Sequence, residues 1–224
     1  MLQEEKTAFV KKWENYWYHY KWHTIVAIFL VFVILISTLQ SCNQTEVGVI
    51  AMYAGPKTLS TKQIQQMGAT LRKISVKSGN EDLVADIYDY PIGLKPGEGH
   101  GGETGKNVEV FDNEIMVGNA VILFLSPALY ERLKESNGGI VPLDPYLPEQ
   151  TEHIVFYDES HLGIYLSSLP LYMSEGFCDL PSDTLVCMRS AVSVKNLFEQ
   201  KKAQEKYQEY VRMMPNLLSY VPEG

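Results

Sequence analysis

The stretch Val47-Gly-Val-Ile-Ala-Met-Tyr53, closed by Ala54-Gly55-Pro56, decides the fold. Its apolar run has the length of a buried strand, and its Gly-Pro end punctuates it. Directly downstream, Ser60 with Gln63 forms a capping box. Ile64, Met67, Leu71 and Ile74 then recur at helical spacing, so residues 60–77 read as an amphipathic helix stopped by Ser78-Gly79-Asn80. Leu83 to Tyr88 is a second strand. A strand–helix–strand opening predicts an α/β fold with parallel pairing and helices layered on the sheet.

Further along, residues 91–106 hold six glycines and two prolines and read as a mobile Gly-rich loop. Residues 108–118 suit a short helix or a strand. Ala120 to Leu125 is a buried strand, and Ser126-Pro127 opens a helix to about Glu135, with Pro127 at the favoured first position. Ile140 to Pro148 is a Pro-rich connection. Ile154–Tyr157, Leu162–Leu166 and Thr184–Met188 are short strand candidates. Lys195 to about Met214 is an amphipathic helix offering Leu197, Phe198, Tyr207, Val211 and Met214 to a core.

Upstream lies a segment of a different kind. Thr24 to Leu39 is sixteen residues without a charge, and all three tryptophans, Trp13, Trp17 and Trp22, stand just before it. Tyr18, Tyr20 and Lys21 fill the gaps. Aromatic rings and snorkelling lysines belong at headgroup depth, and about 20 apolar residues cross a bilayer core of roughly 30 Å. Residues 1–23 therefore read as a cytoplasmic and interfacial segment, 24–42 as a single transmembrane helix, and 43–224 as an extracytoplasmic domain. Lys6, Lys11, Lys12 and Lys21 precede the run, while the first basic residue after it is Lys57, which keeps the N-terminus in the cytoplasm. A cleaved signal peptide competes with this anchor. Leu39-Gln-Ser-Cys42 resembles a lipoprotein cleavage box, apart from Gln40, so lipidation at Cys42 stays open.

The chain carries a net charge of −8, and the first 23 residues hold four Lys against three Glu, so the remainder is acidic. That argues against nucleic acid as a partner, because phosphate backbones need basic patches. Cys178 and Cys187 flank a Pro-Ser-Asp turn; they are either bridged, as an oxidising exterior permits, or two small buried hydrophobes on separate strands.

The motifs of chemistry are absent or broken. Gly105-Lys106 ends like a P-loop, but His100 stands where the first glycine belongs and Asn107 where the Ser/Thr belongs. No Gly-x-Ser-x-Gly elbow occurs, and Ser126 reads as an N-cap through its hydroxyl. His100, His153 and His161 lack metal-ligand spacing, and Asp158, Glu159 and His161 read as a solvated turn. Asp86 and Asp89 alternate across a strand. No enzyme activity, cofactor or metal is expected. In an open α/β sheet ligands gather at the carboxyl ends of strands. A small-molecule site would then draw on Tyr53, Gly55, Asp89, Tyr90 and Ser126.

Several stretches resemble a known family. Asn119-Ala-Val-Ile-Leu-Phe-Leu-Ser-Pro-Ala-Leu-Tyr-Glu-Arg-Leu-Lys134, then Gly138-Gly-Ile-Val-Pro-Leu-Asp144, look similar to extracellular solute-binding proteins of the type 2 periplasmic-binding fold. Gly163-Ile-Tyr-Leu-Ser-Ser-Leu-Pro170 is similar to their hinge-proximal strand region. The N-terminal Tyr20-Lys-Trp-His23 looks like membrane-anchored Gram-positive proteins carrying a shortened version of that domain. The resemblance implies a truncated solute-binding-like α/β domain lacking much of one lobe. Such a domain suits a non-catalytic accessory or interaction subunit of a transport or envelope complex, with the bilayer and a membrane protein as partners. The alternative is a tethered receptor or sensor for a small solute.

Overall fold

The computed structural model describes residues 2–42, 47–80, 84–93, 103–117, 119–135, 139–149, 153–191 and 197–222. The chain forms two units, Met1–Thr45 and Glu46–Gly224. The first is one helix, α1 (Leu2–Cys42), uninterrupted by Gly or Pro. Within it Lys12–Ser37, 26 residues, is long and apolar enough to cross a membrane, and none of that window is buried within the chain. At 1.5 Å per residue it measures about 39 Å, more than a bilayer core requires. The same length and composition suit a secretory signal segment. The helix does not break at residues 23–24, so the interfacial and apolar parts are one rod. The side chain of Cys42 lies outside the described residues.

The second unit is α/β, with a mixed six-stranded sheet. Its strands are β1 (Val47–Gly55), β2 (Val84–Pro91), β3 (Ile122–Leu125), β4 (Ile140–Val141), β5 (Gly163–Tyr165) and β6 (Leu185–Arg189). The helices are α2 (Thr61–Lys77), α3 (Glu103–Val117), α4 (Pro127–Glu135) and α5 (Leu197–Leu218). β1 is flanked by β2 and β3, both parallel to it; β6 runs antiparallel to β3. β4 and β5 lie end to end along the far side of β6, Val141 opposite Met188 and Gly163 opposite Cys187. They are two pieces of one edge, separated by an excursion through residues 142–162.

Because β2 and β3 lie on opposite sides of β1, right-handed crossovers must put α2 and α3 on opposite faces. The burial follows that rule. Val49, Ala51 and Tyr53 pack with Met67, Leu71 and Ile74 of α2 and with Tyr210, Met213, Met214, Leu217 and Leu218 of α5. Ile50, Met52 and Ala54 pack with Val108, Phe111 and Ile115 of α3 and with Leu129, Tyr130 and Leu133 of α4. Alternation along one strand thus feeds two cores.

Several expectations change. Residues 108–117 belong to α3, whose apolar positions 108, 111 and 115 share one helical face. Of the Gly-rich loop 91–106, residues 94–102 lie outside the described residues, but Ile92 is buried, with its N–H on the Gly55 carbonyl at 2.6 Å, and residues 103–106 are helical. Cys178 and Cys187 are both free, the first exposed and the second buried. Cys187 points into the α3/α4 core, whereas the segment bearing Cys178 packs Phe177 and Leu180 into the opposite one. A turn cannot join two faces of a sheet. In α5, Met214 is buried while Tyr207 and Val211 pack at its margin; the side chains of Leu197 and Phe198 lie outside the described residues.

The amino ends of the parallel strands are tied by two side chains from distant elements. Arg189, 2% exposed, donates through Nη1 to the carbonyls of Glu114 (2.7 Å) and Ile115 (3.0 Å). It therefore caps the C-terminus of α3, where a cation also opposes the negative end of the helix dipole. Tyr210 of α5 accepts the Ile50 N–H at 2.7 Å. Replacing Arg189 with Met should leave the last α3 carbonyls buried without donors and cost about 2–4 kcal/mol. A shift of less than ~0.5 kcal/mol in urea unfolding of residues 43–224 would show that the cap is dispensable.

Candidate functional site

The loops leaving adjacent strands diverge at the carboxyl end of the sheet. β1 turns into α2 on one face, whereas β2 and β3 turn into α3 and α4 on the other. Divergence of neighbouring loops opens the crevice where α/β proteins take ligands. The five residues expected there do reach this end, but not as one cluster.

Tyr53 is a core residue. It is fully buried, and its hydroxyl takes only a long contact, 3.4 Å, from the Lys57 N–H. Burial raises the pKa of its phenol, with the Lys57 contact opposing and Asp89 and Asp183 adding to the rise. Its ring folds back beneath Gly55: a Cβ on Gly55 would stand 2.7 Å from the Tyr53 oxygen. Gly55 therefore makes room for Tyr53 rather than for a ligand. Tyr90 pairs with Ala54, one residue out of phase with the Tyr53–Asp89 pair, so it faces the α3 side, half-buried.

Asp89 and Ser126 remain. Asp89 Oδ2 accepts the Leu59 N–H at 2.9 Å and so holds the β1–α2 loop. Its Oδ1 is buried and has no hydrogen-bond partner among the described residues. Burial raises the carboxyl pKa against the opposing bond from Leu59. Ser126 spans the other side of β1, its N–H on the Ala54 carbonyl at 2.9 Å. It starts α4 through its backbone oxygen, which accepts from Leu129 and Tyr130 at 3.1 and 3.0 Å. The expected hydroxyl cap is absent; Oγ is buried and unpartnered. Two unsatisfied polar atoms, one on each neighbour of β1, thus sit at the strand ends.

A second polar cluster escaped sequence reasoning. Tyr130 Oη donates to Asp158 Oδ2 at 3.0 Å and lies 2.9 Å from Ser160 Oγ. Lys134 Nζ reaches the same carboxylate oxygen at 2.6 Å, and Ser160 donates to Oδ1 through both its N–H and its hydroxyl. Burial alone would raise the Asp158 pKa, but Lys134, Ser160 and Tyr130 together hold it well below the ordinary carboxylate range. Tyr130 moves the other way: burial and Asp158 push its phenol far up. The phenol is held neutral and the carboxylate ionised, and each is engaged by the other and by Lys134 or Ser160.

These bonds instead clamp the turn at 158–161. His161, at φ 55°, stacks on Phe156 at 4.1 Å and places Nδ1 2.6 Å from Asp144. The turn expected to be solvated keeps Glu159 exposed, while Asp158, Ser160 and His161 are tied to neighbouring elements. The signal was present as Tyr130 and Lys134 one helical turn apart. Gly163 admits the arrangement, since a Cβ there would stand 2.9 Å from the Tyr130 ring.

Among the described residues, no group of three His, Cys, Asp or Glu can hold a metal ion. Surface grooves run along α1. One, of about 390 Å³, is lined by Trp13, Glu14, Trp17, Tyr18 and Lys21; another, of about 330 Å³, by Trp22, His23, Val26, Ala27 and Leu30. The rings of Trp13 and Trp17 are nearly parallel, with centroids 6.4 Å apart, and Tyr16 lies 5.4 Å from Tyr20. Tyr18, 78% exposed, lines the first groove with Trp13 and Trp17, and Trp22, 69% exposed, lines the second, so the aromatic residues form a collar rather than a stripe.

The two carboxylates should respond to acid with opposite sign. Asp158, lowered in the folded state, contributes stability that is complete above the ordinary carboxylate range and is lost as pH falls below it. Asp89, raised in the folded state, carries a penalty at neutral pH that disappears as pH falls through its raised value to the ordinary one. Asp158→Asn should therefore flatten the acid limb of the stability curve. Asp89→Asn, which keeps an acceptor for Leu59, should raise neutral stability by a few tenths to ~1 kcal/mol. Urea midpoints of the two variants between pH 3 and 7 test this; slopes of like sign would contradict the assignment. Comparison with protein-family models, with curated proteins and with solved structures finds no match for this chain.

Proposed function

We propose that this protein is a membrane-tethered, extracytoplasmic accessory module without catalytic activity. It docks its α/β domain, a degenerate solute-binding-like one, for a transport or envelope complex. The observation that carries the tether is the 26-residue apolar window Lys12–Ser37, of which nothing is buried by the rest of the chain. Exposed Ile, Val, Leu and Phe in that number favour surroundings of hydrocarbon over water. The collar from Trp13 to Trp22 stands at one end of the window, where an interface selects Trp and Tyr. The lysine bias puts that end in the cytoplasm.

Absence of catalysis is supported by the Tyr130–Asp158–Lys134 cluster, whose groups are committed to one another. Asp89 and Ser126 favour the second reading, a receptor for a small solute, because each keeps a buried polar atom unpaired at the strand ends. A ligand donating to Asp89 Oδ1 and Ser126 Oγ would satisfy both.

Cys178, exposed and free, is a native reporter of sidedness, whereas Cys187 is buried. In a Cys42→Ser background, a membrane-impermeant maleimide should label Cys178 on intact cells, and the full chain should stay with membranes through alkaline extraction. Labelling that needs lysis would invert the topology, and release by alkali would remove the tether. Affinity capture of the full chain from membranes should bring down a membrane protein. If it brings down none while small solutes raise the melting temperature of residues 43–224, the receptor reading replaces the accessory one.

A further inference from the structure

We propose that the α1 groove formed by Trp13, Glu14, Trp17, Tyr18 and Lys21 is a binding site for the headgroup of an ethanolamine phospholipid. The inference rests on α1 spanning the membrane. Positions 14, 17, 18 and 21 follow one another at helical spacing and share a face with Trp13, and together they line a groove of about 390 Å³. Trp13 and Trp17 offer near-parallel ring faces, with an interplanar angle of 13°. Tyr18 stands beside them, and among the described residues neither Glu14 nor Lys21 forms an ion pair.

The chemistry of the lining matches a zwitterion in sign and in order. An ammonium is attracted to the faces of Trp and Tyr rings, and Glu14 adds a carboxylate that accepts from its N–H groups. Lys21 supplies a cation for the phosphate. Depth gives the polarity. Lys21 stands three residues from Thr24, where the uncharged run begins, and Glu14 is seven residues farther from it, about 10 Å along the axis. In a phospholipid the phosphate lies next to the acyl region and the amine beyond it, so the phosphate meets Lys21 and the amine meets Glu14 and the tryptophans. Helix side chains lean towards the N-terminus, which carries the long Lys21 side chain back towards Trp17. An anionic glycerol headgroup has a phosphate for Lys21 and hydroxyls that can donate to Glu14, but no cation for that carboxylate or the ring faces, and its net charge is repelled by Glu14.

Native mass spectrometry of the full-length protein in detergent, titrated with phosphatidylethanolamine or phosphatidylglycerol of identical acyl chains, tests the site. The wild-type chain should prefer the ethanolamine lipid about fivefold. Glu14→Gln and Trp17→Leu should each abolish the preference, while Lys21→Met should weaken both lipids alike. Circular dichroism and the melting of the α/β domain control for folding. Equal affinity for the two lipids, or a preference that survives Glu14→Gln, overturns the proposal. Release of the wild-type chain by alkaline extraction would instead overturn the membrane reading beneath it, so the two failures are separable.

Discussion

The hydrogen bonding of β1 to a parallel strand on each side is the constraint on which the α/β unit depends. β1 pairs along its length with β2, and over Ala51–Ala54 with β3. A strand enclosed on both edges and both faces has no solvent side, so it must be apolar at consecutive positions. Val49 to Ala54 meets that demand, each residue at most 5% exposed. Alternation then sorts its side chains into two cores, and crossover handedness sorts α2 and α3 to match. Covering a parallel sheet on only one face would leave the other apolar surface in water, which is why α4 and α5 return to opposite sides.

The two ends of that sheet are treated differently. At the amino ends, Arg189 and Tyr210 bring hydrogen-bonding groups from β6 and α5 to backbone atoms that would otherwise be buried without partners. At the carboxyl ends, Asp89 Oδ1 and Ser126 Oγ are left unsatisfied. A fold that ties one end with side chains 75 and 160 residues away in the sequence is not short of means to tie the other. Unpaired polar atoms at the divergent end are therefore better placed to meet something from outside the chain than to stabilise it.

Local signals made much of this legible. β1, α2 and α4 announce themselves through length, periodicity and Pro127, and α4 ends at Glu135 as its pattern predicts. The limits lie where a residue serves a distant partner. Ser60 caps α2 as its spacing says, accepting from the Gln63 N–H at 3.2 Å, but Gln63 does not reciprocate. It is buried and donates to the Gly176 carbonyl at 2.8 Å, a partner that periodicity cannot reveal. β4 and β5 are too short to carry a pattern, and they form an edge only because β6 supplies the ladder for both. The five residues that the spacing offers for a ligand site do lie at the carboxyl end of the sheet. What the spacing alone did not use was pairing register, which turns Tyr90 to the face opposite Asp89 and sends Tyr53 into the core.

Asp158 and Asp89 carry the same side chain in one domain, and their surroundings drive them apart. Asp158 gathers donors from Tyr130, Lys134 and Ser160, so its charge strengthens the clamp on residues 158–161. Asp89 has one backbone donor, from Leu59, and a second oxygen buried without any, so its charge opposes folding. An asparagine would hold the β1–α2 loop equally well and relieve that cost. The position of that second oxygen, where the loops of the sheet diverge, suits a donor that comes from outside the chain. That donor would find the charge already oriented, because Leu59 fixes one oxygen and none of the described groups of this chain answers the other.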